Sequence, residues 1–377
     1  MLRNLWVLSA LAASAAAQAG GSFPSLLALV NETDGFSYLN TYLQSFPEVR
    51  DSVTALTNIT VFAPSNKALL EFAETPRYSQ LTEGGADFLQ ALLSYHILDG
   101  IYDNITEYGP LNTLLTSPRY TNLTAGQVIF AYYNPSGFEI AIWSGNDSQS
   151  GTIGLPYEFE GGILYPINSV FNIPGTVSEE VSGPLNGSSF AQALDQAGLT
   201  DEVNALKDAT FFVPKNDGWE SVSQSLSALS PEALVDVLKY HIVPDFLGYY
   251  SVLEEANGTT LKTLSGQELT VYLNEAEEMF INGAGVTYVD VPAANGVIVF
   301  IDNVLNPTGT VQPPTSDAED GVPAFPTGVA SSGSGGESTS STTTASVATY
   351  TGAASALQTG TMSLLALVGA VMMAIVL

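Results

Sequence analysis

LLSYHIL, residues 92–98, and VLKYHIV, residues 237–243, decide how this chain is read. The 377 residues hold only two histidines, His96 and His241, and each directly follows a tyrosine, Tyr95 and Tyr240. Either the chain is a duplication or two histidines do one job twice. The flanking sequence chooses. TVFAPSNKAL at 60–69 is echoed by TFFVPKNDGW at 210–219, pairing Phe62 with Phe212, Pro64 with Pro214 and Asn66 with Asn216. GGILYPINSVFNIP at 161–174 is echoed by NGVIVFIDNVLNP at 295–307. The order is kept while the loops between drift, as in duplicated units. The chain is two copies, expected at 23–175 and 187–308, with 176–186 as the linker.

Each copy opens with helical signals. Asp34 is a candidate cap for a helix with Phe36, Leu39 and Leu43 on one face. In the second copy Phe190 and Leu194 share a face, and Gly198 supplies a C-terminal stop. A strand ending in proline follows in each copy, then a helix leading to the Tyr-His pair. Ser230-Pro231-Glu232 gives that second helix an N-cap, a proline at its first position and an acid in its first turn. Leu234, Val237, Leu238 and His241 then fall on one face. The later half of each copy alternates as sheet does, and Asn295-Gly296 is a hairpin signal. Helices first and strands later predict an α+β fold, not a parallel α/β sheet.

The ends read as processing segments. Residues 1–19 carry Arg3, an apolar run and two A-x-A exits, at Ala15–Ala17 and Ala17–Ala19, as a secretory signal does. Residues 309–352 are rich in Ser, Thr, Pro and Gly, too poor in apolar surface to fold, and are expected to form a disordered stalk. Gly352-Ala353-Ala354, a polar spacer and the apolar run Met362–Leu377 follow the order of a GPI signal, in which 353–377 is removed, with a plain tail anchor as the alternative. Gly352 and Ala353 are the attachment candidates. These features place the chain on the outer leaflet or in a cell wall, with the vacuole or free secretion as the alternative. Sequons at Asn31, Asn58, Asn104, Asn122, Asn146, Asn186 and Asn257 agree with export.

The formal net charge of −29, from 38 acidic and 9 basic residues, repels phosphate backbones and excludes nucleic acid as a partner. With no cysteine, stability must come from core burial, and no Cys/His dyad is available. One histidine per copy makes no multi-histidine metal site, and no Gly-x-Ser-x-Gly turn occurs. No metal or cofactor is expected, and the chain reads as a non-enzyme. A cell-wall enzyme, or a small-ligand or glycan binder, using an unseen cleft with paired carboxylates is the alternative.

Taken together, TVFAPSNKAL and TFFVPKNDGW, the two Tyr-His pairs and the two closing motifs resemble the fasciclin-domain family, over roughly residues 23–308. The resemblance implies a wedge-shaped β-sandwich with helices packed to one side, in a two-domain, GPI-anchored form. It implies adhesion or matrix proteins, with cell-surface or matrix proteins or glycans as partners and the membrane reached through a lipid anchor. It also makes Tyr95, His96, Tyr240 and His241 candidate binding residues, because the family's adhesion to integrins is associated with this region. The residues themselves support a second reading, in which the tyrosine fills the core edge and the imidazole satisfies a backbone group. Asn66 and Asn216 read as turn or cap residues. Copy one departs from the pattern in its long Thr106–Tyr120 segment and an insertion near Gly145–Gly154, so an atypical sheet edge is expected there.

Overall fold

In the computed structural model, residues 23–134, 139–309 and 321–326 are described. Copy one starts with α1 (Leu26–Glu32), a 3₁₀ turn at Asp34–Phe36, α2 (Ser37–Ser45) and α3 (Pro47–Thr54). Strand β1 (Ile59–Pro64) leads into α4 (Asn66–Ala73) and α5 (Tyr78–Tyr95). Strands β2 (Ile97–Asp99), β3 (Gly109–Asn112), β4 (Val128–Asn134), β5 (Glu139–Ser144), β6 (Ser148–Gly151), β7 (Tyr157–Phe159) and β8 (Gly162–Ile167) follow. Copy two runs α6 (Val177–Val181), α7 (Ser188–Gln196), α8 (Thr200–Asn204), β9 (Ala209–Pro214), α9 (Asn216–Ser221), α10 (Ser223–Ser227) and α11 (Pro231–Tyr240). Next come β10 (Ile242–Val243), α12 (Tyr250–Glu255), β11 (Thr260–Lys262), β12 (Glu268–Leu273), β13 (Met279–Ile281), β14 (Ala284–Ala293) and β15 (Gly296–Ile301).

The alternation of the first strand builds the layers. Ile59, Val61 and Ala63 of β1 face the helices with Leu39, Leu43 and Leu92, whereas Phe62 faces the second sheet with Ile129, Ala131 and Ile142. Copy two repeats this, with Phe211 and Val213 toward the helices and Phe212 toward Leu269, Val271 and Ile281. Each copy is therefore helices on sheet on sheet, an α+β sandwich. At its centre β1 pairs parallel with β8, and β9 with β15. Glycine opens each closing strand because the backbones touch. A Cβ on Gly162 would lie 2.1 Å from Ile59 O, and one on Gly296 would lie 1.9 Å from Ala209 O.

The copies differ at their edges. In copy two, order β10-β9-β15-β14-β13-β12-β11 is one continuous seven-stranded sheet, carried by the ten-residue β14. Copy one has two four-stranded sheets, β2-β1-β8-β7 and β3-β4-β5-β6. Its counterpart of β14 is split into β6 and β7, and Pro156, which cannot donate to a ladder, lies in the gap.

Three expectations are corrected. Residues 176–186 are not a free linker: α6 lies there, with Val177 and Val181 fully buried in the copy-two core. Thr176 and Glu179 cap it reciprocally. The stalk expected from 309 is interrupted by residues 321–326, which pack on copy two. There Phe325 joins Val222, Leu226, Val237 and Val304, Val322 N–H donates to Gly283 O (2.6 Å), and Asn306 Nδ2 donates to Ala324 O (3.1 Å). Asp34 does not cap a helix with its side chain; it begins the 3₁₀ turn. The capping at Ser230 and the stop at Gly198 (φ +66°) are as expected.

Candidate functional site

Each Tyr-His pair sits where a helix hands over to a strand, and both are inside the protein. Tyr95 and His241 are 0 % exposed, His96 2 % and Tyr240 5 %. His96 Nδ1 lies 2.7 Å from Leu92 O, one helical turn back, and Nε2 accepts the Phe171 N–H at 2.9 Å. His241 repeats both contacts, with Val237 O at 2.7 Å and Leu305 N–H at 2.9 Å. A carbonyl can only accept and an N–H can only donate, so each imidazole is neutral with its proton on Nδ1. Burial pushes both histidines down to about 4, against a smaller upward pull from the helix carbonyl. Each histidine's own carbonyl accepts from the first strand, at Phe62 N and Phe212 N. The tyrosines tie the same helix ends to the second sheet. Tyr95 donates to Val128 O (3.0 Å) and Tyr240 to Glu268 O (2.8 Å). Every ring nitrogen is already committed, so near neutral pH neither imidazole is available as a base or a metal ligand.

Asn66 and Asn216 are clamps of the same duplicated kind. Asn66 accepts from Tyr38 N–H and donates to Asp34 O and Ser37 Oγ; Asn216 accepts from Ser189 N–H and donates to Asn186 Oδ1 and Ser188 Oγ. Each fastens the first helices of its copy to the end of the first strand.

The copies meet along a seam. Gln127 Nε2 donates to Ala293 O (3.0 Å), and Ala294 N–H donates to Gly175 O (2.7 Å). Three carboxylates stitch it, each accepting from the other copy. Asp208 receives Thr124 N–H and its hydroxyl, and Glu180 receives Asn146 N–H. Asp147 receives the Tyr288 hydroxyl (2.7 Å), and a fourth carboxylate, Asp290, lies near Tyr108 of the other copy. Asp290 is 4 % exposed, with φ +61° at the register irregularity of β14, and also accepts Tyr250 N–H. Burial raises it to about 6, despite the opposing hydrogen bonds, and burial raises Glu180 as well. Between the copies lies a cavity of about 150 Å³ lined by Tyr108, Trp143 and Asp147 on one side and Tyr288, Asp290 and Pro292 on the other.

Of the sequons, Asn31, Asn58, Asn104, Asn186 and Asn257 are exposed. Asn122 and Asn146 are half-buried at the seam, Asn122 Nδ2 reaching Leu206 O at 3.5 Å. The expected signal at 1–19, most of the expected stalk, and the attachment candidates Gly352 and Ala353 lie outside the described residues. Among the described residues no helix is long and apolar enough to cross a membrane, and no group of three or more His, Asp or Glu side chains could hold a metal ion. The seam was missed in sequence because its residues belong to one copy each. Only Thr176-x-x-Glu179, a capping box before an apolar position, marked part of it.

A family model described as "Fasciclin domain" matches residues 34–134 and 186–307. A fasciclin-like arabinogalactan protein of Phaeosphaeria nodorum is 31 % identical over 286 residues, spanning 74 % of this chain and 88 % of the relative. One from Arthroderma benhamiae is 26 % identical, spanning 78 % of this chain and 70 % of the relative. Among solved structures, a FAS1 domain pair from the insect cell adhesion molecule fasciclin I is 18 % identical, spanning 71 % of this chain and 95 % of that one, with a TM-score of 0.35.

Proposed function

Because the chain belongs to the fasciclin-domain family, we propose that it is a cell-surface or wall glycoprotein that works by adhesion through its outer surface, not by catalysis. One observation carries this reading. Copy one presents an apolar edge to solvent, with Ile153 42 %, Leu155 75 % and Tyr157 39 % exposed within five residues. Apolar side chains concentrated this way on an otherwise acidic chain mark a protein contact surface. The buried Tyr-His pairs then serve adhesion indirectly, by holding the sheets that carry that edge. The names of the relatives, fasciclin-like arabinogalactan proteins among them, support the same class.

Leu155→Asp should reduce attachment of protein-coated beads to cells or wall material several-fold while leaving the melting temperature within about 2 °C of wild type. Undiminished attachment would remove the edge from the reading, and attachment equal to that of an unrelated acidic glycoprotein would remove adhesion itself. The finer expectation is a GPI anchor on the outer leaflet, motivated by the order of segments at 352–377. Phosphatidylinositol-specific phospholipase C should release the protein from intact cells. Retention while a control anchor is released excludes the lipid link.

A further inference from the structure

We propose that the cavity in the seam binds a compact organic ammonium ion, carried either by a quaternary amine or by an amino-sugar residue. The walls supply what such a cation needs. Tyr108, Trp143 and Tyr288 are aromatic, and a cation within about 6 Å of such a ring face is drawn to its negative quadrupole. Asp147 and Asp290 are on the same walls, and no Lys, Arg or His lines the cavity. The carboxylates are held in place before any ligand arrives, Asp147 by the Tyr288 hydroxyl and Asp290 by the Tyr250 N–H (2.8 Å). Anions are repelled by this arrangement. A neutral sugar could use the rings but would supply no charge opposite the two carboxylates of the lining.

Size narrows the ligand further. At about 150 Å³ the cavity is well below the several hundred Å³ usual for drug-sized ligands, so it admits one compact group, not a chain. Neither copy has the site alone. Tyr108, Trp143 and Asp147 come from the first domain, and Tyr288, Asp290 and Pro292 from the second. Binding is therefore coupled to docking of the two domains, and a ligand there tightens the seam by mass action.

The test is calorimetric titration of the full-length protein at neutral pH with choline, glucosamine, glucose and acetate, followed in parallel by Trp143 fluorescence. Choline or glucosamine should bind saturably, and which one does so identifies the source of the ammonium group. Glucose and acetate should not bind. Asp147→Asn and Asp290→Asn keep shape and hydrogen-bond acceptors while removing charge, and each should weaken binding at least tenfold. Raising the salt should weaken it too. Should an Asn variant not fold, Tyr288→Phe, which releases Asp147 from its partner, supplies the second probe and should change affinity. Absence of saturable binding by both cations, equal binding of glucose, or affinity indifferent to both charge removals would each overturn the proposal.

Discussion

Replacing His241 tests whether the Tyr-His pair is architecture. In His241→Phe the ring volume stays but two groups lose their partner: the Leu305 N–H, whose residue is 2 % exposed, and the Val237 carbonyl. The helix does not rescue that carbonyl, because the His241 N–H donates to Leu238 O instead (3.2 Å). A buried orphan costs about 1–3 kcal/mol, so His241→Phe should cost about 2–4 kcal/mol. His241→Ala adds a cavity beneath Phe190, whose ring lies 5.7 Å from the imidazole, and should cost about 3–5 kcal/mol. That is a large part of a domain's reserve of roughly 5–15 kcal/mol. Urea unfolding followed by Trp219 fluorescence reads it directly, since Trp219 packs edge-on against Phe190.

The pH dependence sharpens the test. His241 sits at about 4 in the folded protein, below its ordinary 6.5, so the unfolded chain binds the proton first as pH falls. Its contribution is complete above 6.5 and is lost on acidification toward 4, by about 3 kcal/mol at roughly 1.4 kcal/mol per unit. Phenylalanine has no proton to bind. The penalty of His241→Phe at pH 7 should therefore shrink by about 2–3 kcal/mol at pH 4.5. Asp290, raised to about 6, works in the opposite sense: its contribution is present below about 4 and is lost as pH rises through 6. It acts equally in wild type and variant, so the difference isolates the histidine. A penalty under about 0.5 kcal/mol with adhesion lost, or one that does not change with pH, would mean that His241 is not part of the architecture.

A second-domain fragment beginning at Thr176 should fold more stably than one beginning at Gly187 by about 3–5 kcal/mol, because the shorter one lacks the fully buried Val177 and Val181; equal urea midpoints would return 176–186 to the status of linker. Phe325→Ala should lower the stability of the second domain by about 2–4 kcal/mol, through loss of its packing on Val222, Leu226 and Val304. An unchanged thermal melt would mean that residues 321–326 are only loosely attached. Glycopeptide mass spectrometry should find glycans on Asn31, Asn58, Asn104, Asn186 and Asn257 but not on Asn122 or Asn146, which face the other copy. High occupancy at either seam site would contradict the closed seam.

What was legible in the sequence was whatever the duplication repeated. The Tyr-His pairs, the Asn66 and Asn216 clamps and the glycines of the closing strands recur because each performs the same local task twice, and local tasks leave local signals. Ser230 before Pro231, and Gly198 after α7, were readable for the same reason. Asp34 misled because a good capping residue before an apolar face is only a propensity. Tertiary contacts gave the helix start to Ser37 and used Asp34's carbonyl for Asn66. Phe325 was hidden in a segment of stalk-like composition, where one aromatic does not change an average. The seam left no repeated signal at all. Gln127 is fully buried against Ala293, whereas Gln267, at the matching place in copy two, is exposed.

That asymmetry has a structural consequence. The copies are joined head to tail, by two different faces, so each copy keeps one face that the other has used. Pairing of the closing strands fixes the correspondence: Tyr157 faces Leu164 across β7 and β8 as Val291 faces Ile298 across β14 and β15. The edge at 153–160 of copy one is thus the counterpart of 287–294 in copy two, the stretch that lies against copy one at the seam. In copy two it is covered and contributes Asp290, Pro292 and Ala294 to the junction. In copy one it is bare, and its sequence has become Ile153, Leu155 and Tyr157. A bare edge strand flanked by apolar side chains is a surface that pairs with another chain unless something blunts it, and the only acids among 153–160 are Glu158 and Glu160. Duplication therefore built one interface inside the molecule and left its twin outward. The places where the copies diverge, the cavity within the seam and this free edge, are where a function particular to this chain has room to reside.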